Sequence, residues 1–215
     1  MEQKAKKERK LTKAELRRKE RFEGLSANME GRGWTAREVI ANAAGVYIAG
    51  IALTLPFMAF FAVWYWLVNG GFGPDRSRPE RLMLLILFVF LLVAHELLHG
   101  LVMGLSVPDG FKAVEFGVNY RLLAPYCTCI EPMKKGRILL ALLFPTLVLG
   151  FGLGVIAIFA GHNLWFFLAE LMIVGGAGDF YTFLWVLRLP TGREAVYSVH
   201  PYEVGLVVFE RSASN

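Results

Sequence analysis

Four apolar stretches, each longer than twenty residues, decide what this chain can become: about Gly45–Val68, Arg81–Leu105, Arg137–Ala160 and Leu164–Leu189. A helix rises about 1.5 Å per residue, so each run is long enough to cross the roughly 30 Å hydrocarbon core of a bilayer. In lipid the backbone must satisfy its own hydrogen bonds, which selects helices for such runs. With 55% hydrophobic residues in 215, the pattern predicts an all-α polytopic membrane protein with about four transmembrane helices.

The remaining segments punctuate those spans. Residues 1–43 form a basic N-terminal helix or tail. Within it Thr12 and Glu15 form a capping box opening a solvated helix, and residues up to 38 are helix-prone. Pro56 lies inside the first span, and Trp64, Tyr65 and Trp66 make an aromatic belt at its far end. The connector Asn69–Pro79, with Gly70, Gly71, Gly73 and Pro74, is not helical. Ser106–Gly136, between the second and third spans, is too polar to cross and carries short β-like patterns at Ala113–Tyr120 and Tyr126–Ile130. The third span contains Pro145 and the pair Gly150/Gly154, a spacing suited to close helix packing. The division expected is therefore a tail (1–43), a four-span core (44–190) and a C-terminal tail (191–215) with strand-like character at Val204–Phe209.

Charge sets the orientation. Of 23 Lys/Arg and 18 Asp/Glu, 12 and 7 fall in residues 1–43, so the rest of the chain is balanced. A basic segment ahead of a span reads as an orientation signal or a contact with anionic lipid, not as a nucleic-acid site. Four spans place the N-terminus, the Lys112/Arg121/Lys134/Lys135 segment and the Arg188/Arg193 tail on one side, facing only Arg76, Arg78 and Arg81 on the other. Both termini are then cytoplasmic, a reducing side that agrees with the unpaired Cys127 and Cys129. The first apolar run starts too late and is too long for a cleavable signal peptide.

The second span carries the chemistry. LLVAHELLHGLVMGL places His95, Glu96 and His99 inside an apolar run. Histidines four residues apart share a helix face, the spacing that offers two imidazoles to one zinc ion, with the intervening glutamate placed to take a proton from activated water. An ionisable group at mid-bilayer costs about 2.5–3.5 kcal/mol on insertion scales, so three in one span call for a compensating partner. A polar cluster that glues helices is the bland alternative.

Catalytic zinc takes three protein ligands and an open position. The candidates for the third are Asp179, Glu170, His162, His200 and Cys127/Cys129. Depth separates them. His95 lies ten residues before Leu105 and Asp179 ten before Leu189, each about 15 Å from the same membrane face. Glu170 lies roughly 13 Å nearer the other face, His162 in a turn and His200 in the tail. Asp179 fits best, and Gly175, Gly176 and Gly178 ahead of it allow close approach or unwinding. Cys127-Thr-Cys129 reads as a structural segment, and His162 and His200 as surface histidines.

At these residues the chain resembles the intramembrane zinc metalloproteases of the site-2 type. It is more similar still to a family of small bacterial and archaeal membrane proteins classed as zincin peptidases of unknown function. AHELLHG in a span, a strand-bearing segment, a proline in the third span and Gly178-Asp179 in the last carry the likeness over roughly residues 81–190. GGAGDF lacks the Asn-x-x-Pro element usual ahead of the site-2 aspartate, and no PDZ domain is present. The resemblance implies Zn2+ held by His95, His99 and Asp179, Glu96 as catalytic acid/base, and a prokaryotic plasma membrane. The expected function is hydrolysis of peptide bonds in a membrane-embedded substrate, a single transmembrane helix. The competing reading is a non-proteolytic membrane protein that binds or moves metal or ions with the same cluster. A Glu directly after the first histidine favours hydrolysis, as does the absence of Asp, Glu and His from the first and third spans.

Overall fold

The computed structural model describes residues 11–73, 77–119, 124–189 and 194–211. Arg76, Arg121 and Arg193 of the orientation argument, and Pro74 and Tyr120, lie outside them. Helix α1 (Lys13–Gly31) opens on the expected capping box, with Thr12 Oγ1 accepting from the Glu15 amide and Glu15 reaching back to the Thr12 amide. Helix α2 (Ala43–Asn69) runs unbroken across Pro56. Helix α3 (Arg78–Gly104) starts at a second capping box, Ser77/Glu80. The third apolar run is helix α4 (Lys135–Pro145), a wide π turn (Thr146–Gly152) and helix α5 (Leu153–Ala160). The fourth is α6 (Asn163–Gly175) and α7 (Ala177–Arg188), bent by 45° between them.

Three helical runs are long and apolar enough to cross a membrane, and four if the bent pair is one span. Their outward faces stay apolar: Ile48, Phe60, Phe90 and Phe159 are all at least 60% exposed. Such outward-facing side chains suit a lipid-facing surface. Gly150 abuts Ile173 of α6, and Gly154 abuts Phe61 of α2 and Ala169 of α6, the close packing expected of that pair.

The chain is mostly helical but not all-α. Val114–Asn119 (β2) and Ala124–Cys129 (β3) pair as an antiparallel hairpin, where the β-like patterns lay. A second sheet, of four antiparallel strands, was not expected. It joins Trp34–Ile40 (β1), Gly205–Arg211 (β6), Ala195–Val199 (β5) and Met133–Lys134 (β4) in the order β1-β6-β5-β4. Residues 34–38, read as part of a helix-prone segment, are extended because β6 supplies a complete ladder, from Trp34 opposite Arg211 to Ile40 opposite Gly205. The buried residues beneath this sheet (Val208, Tyr197) join those of α3, α4 and α7 (Met103, Ile138, Val186) in one core. The site rests on that core.

Candidate metal centre

Helix α3 supplies His95 and His99 one turn apart, both buried, with ring centroids 4.9 Å apart. Helix α7 supplies Asp179 in its first turn. That turn is in reach because Gly50 lets the backbone of α2 lie against the Ala177 carbonyl, where a Cβ would collide. His95 Nε2 stands 3.1 Å from Asp179 Oδ2, and His99 Nε2 stands 3.3 Å from the same oxygen. One ligand atom from each of the three lies within 4.8 Å of the others.

The orientation of His99 traces to a proline. In an α-helix the carbonyl of residue 141 would accept from the amide of residue 145, but Pro145 has none. The next amide, Thr146, turns to the Leu143 carbonyl instead. Ala141 is therefore left with a free acceptor, and His99 Nδ1 donates to it at 2.7 Å. A carbonyl only accepts, so the proton sits on Nδ1 and Nε2 is bare towards Asp179. A bare nitrogen and a carboxylate oxygen at 3.3 Å repel unless a cation stands between them or the ring takes a second proton.

That arrangement fits zinc. Ligand atoms about 2.0–2.1 Å from a tetrahedral ion are about 3.3 Å from each other, and the two carboxylate–imidazole separations, 3.1 and 3.3 Å, lie at or just below that value. Two imidazoles and one carboxylate are also donor types zinc takes, and a carbonyl on the far nitrogen of one imidazole is a usual support for such a ligand.

Glu96 is half-buried beside the cluster, with the Cys127 backbone next to its carboxylate. The cavity there, about 560 Å³, is lined by His95, Glu96, His99 and Asp179 and also by Tyr47 and Tyr126. Hairpin β2–β3 stands at its wall because Gly100, directly after His99, leaves room for the Phe116 ring.

The other candidates lie elsewhere. Glu170 is on α6, with Oε1 buried and without a hydrogen-bond partner among the described residues. His162 is exposed at the start of α6. His200 is not a surface histidine: it is 4% exposed, and its Nδ1 accepts from the amides of Tyr202 (3.3 Å) and Glu203 (2.9 Å), stapling the turn between β5 and β6. Burial lowers its pKa, against the pull of Glu38 and Glu203. Cys129 is buried and Cys127 half-buried. Burial above all pushes the Cys127 thiol up to about 12 and the Cys129 thiol to about 11. Such thiols react slowly at neutral pH while they stay buried. Nothing in the residue types marks the Ala141 carbonyl as a partner of His99, although Pro145 marks where an acceptor is released.

The HExxH stretch of α3 and an aspartate from the last apolar run thus come to one buried point that could hold a metal ion. Residues 88–193, just short of half the chain, match the family described as putative zincin peptidase, the family that the sequence resembles. The matched segment holds all three clustered residues, Glu96 and the β2–β3 hairpin. No curated protein and no solved structure matches the chain.

Proposed function

We propose that the chain is an intramembrane zinc metallopeptidase that cuts peptide bonds of membrane-embedded substrates. The observation that carries this reading is the convergence of His95, His99 and Asp179 beside Glu96 at the wall of one cavity. Zinc bound there would supply Lewis acidity, lowering the pKa of water and polarising a carbonyl. Glu96, beside the Cys127 backbone in that cavity, takes the proton from the attacking water and passes it to the leaving amine nitrogen. The Ala141 carbonyl keeps His99 in the tautomer that leaves Nε2 free to ligate. The substrate is a single transmembrane helix, locally unwound and laid along the β2–β3 hairpin as an added strand. Both termini lie in the cytoplasm of a prokaryotic cell, so water enters from that side.

The test is cleavage of a co-expressed membrane substrate together with the zinc content of detergent-purified protein. General acid–base groups contribute about 10²–10⁴ in rate. Glu96→Gln is expected to lose at least a hundredfold in cleavage while keeping zinc, and Asp179→Ala to lose the zinc itself. Cleavage by Glu96→Gln at the wild-type rate would sink the proposal.

One observation favours the competing reading. The unpartnered Glu170 Oε1 inside the last apolar run is the kind of group that marks an ion path. A metal- or ion-moving protein would lose flux into vesicles on Glu170→Gln and keep it on Glu96→Gln.

A further inference from the structure

Arg18 is the most buried charged residue outside the apolar helices, 7% exposed on an otherwise polar helix. Burying an arginine costs several kcal/mol unless its donors find partners, and here Nε and Nη1 both do. Its Nε donates to the Pro201 carbonyl at 2.9 Å, and its Nη1 donates to the Tyr126 hydroxyl at 2.8 Å. The guanidinium lies 5.0 Å from the centre of the Tyr126 ring, and Nη1 is 3.6 Å from Glu115. Arg21, one turn on, holds the other oxygen of Glu115 at 3.0 Å. Helix α1 is thus fastened to three separate segments: β2 through Glu115, β3 through Tyr126 and the 200–204 turn through Pro201. Gly117 stands opposite Tyr126 in the hairpin, where a Cβ would collide with the phenol. The ring therefore crosses β2 to reach the helix.

Two of those segments, β3 and the 200–204 turn, line the metal-centre cavity. A second cavity of about 490 Å³ lies under α1, and Tyr126, Cys127, Glu203 and Val204 line both. They form a thin wall between the space beneath α1 and the space at Glu96. Tyr126 precedes Cys127, which lines the metal-centre cavity together with Glu96. A shift of Tyr126 consequently moves what stands beside Glu96.

We propose that Arg18 is a positioning residue for this site and that α1 is a strap across its mouth, setting where β3 and the 200–204 turn stand. With the strap engaged, the wall beside Glu96 is closed. With α1 lifted, by a partner of the N-terminal segment or by the surface of an anionic membrane, the wall opens towards the extramembrane side. The proposal gives the peptidase reading a point of regulation, but its test does not require turnover.

The measurement is the alkylation rate of Cys127 in the full-length, detergent-purified protein, read by mass spectrometry with Cys129 as internal control. Cys127 belongs to the wall, whereas Cys129 is fully buried. Arg18→Ala removes hydrogen bonds of the charge-assisted kind, each worth enough to raise a local opening equilibrium by tenfold or more. A tenfold faster reaction at Cys127 with Cys129 unchanged is the expected result. Tyr126→Phe, which keeps the ring and removes the hydroxyl acceptor, is expected to give a smaller increase. Equal Cys127 rates in all three proteins would overturn the proposal. So would a parallel rise at both cysteines, since Arg18 would then merely hold up the fold. Zinc content is measured on the same samples: a wild type that binds no zinc defeats the peptidase reading and leaves the strap standing.

Discussion

Replacing Pro145 by alanine separates the stability of the fold from the tuning of the site, because the two should move in opposite directions. Alanine restores an amide in register with the Ala141 carbonyl, the acceptor that His99 Nδ1 uses at 2.7 Å. Proline in a helix interior costs about 3 kcal/mol relative to alanine. Part of that is already absorbed by the π turn that follows, so a gain of about 1 kcal/mol is expected for the metal-free protein. The carbonyl has two lone pairs and can be shared, so His99 loses part of its hold. Removing the hydrogen-bond partner on the far nitrogen of a ligating histidine typically costs about 10–100-fold in metal affinity. Sharing places Pro145→Ala near the lower end, about tenfold or 1.4 kcal/mol. The assay is competition for zinc against a chromophoric chelator at fixed pH, paired with thermal melting of the metal-free protein. A more stable variant that binds zinc as tightly as wild type would refute the link from proline to carbonyl to imidazole. A variant that loses both stability and zinc would show that Pro145 acts through packing instead.

Two more outcomes follow from close contacts. Gly50→Ala drives a Cβ into the Ala177 carbonyl, two residues from Asp179. Overpacking of this kind costs about 1–3 kcal/mol, and zinc retention on dialysis is expected to fall with melting temperature. At His200, burial holds the pKa below its ordinary value and the turn uses the neutral ring. That contribution is complete above the unfolded value of about 6.5 and is lost as pH falls through it towards the lowered folded value. The melting temperature should therefore drop between about pH 7 and pH 5, and less so in His200→Asn, whose amide oxygen can accept from the same two backbone groups without titrating. An identical pH slope in both proteins would rule His200 out.

Features set by local chemistry were legible in the residues. Each long apolar run is helical because lipid leaves the backbone no other option, and the caps at Thr12 and Ser77 mark helix starts by their side chains alone. The meeting of α3 with Asp179, 84 positions from His95, followed from counting helical rises. What escaped depended on partners distant in sequence. WTAREVI has no clean alternation, and it is extended only because GLVVFER lies beside it. Arg18 and His200 read as surface groups until the turn at 200–204 folds over them. Backbone atoms such as the Ala141 carbonyl have no letter in the sequence, and only the neighbouring proline hints at their freedom.

The four-stranded sheet has a consequence for the order in which the molecule is made. Strand β1 leads into α2 after two residues, and its one neighbour in the sheet among the described residues is β6. During synthesis β1 leaves the ribosome first, whereas β6 comes after every apolar helix. For most of translation β1 thus waits with its ladder groups unpaired, and the pairing that closes the sheet is among the longest-range in the chain, the slowest kind to form. The helices are therefore committed to the membrane before the sheet can close. A nascent chain arrested before Gly205 would hold its spans in place with β1 still open to a protease, and release past Arg211 would protect it.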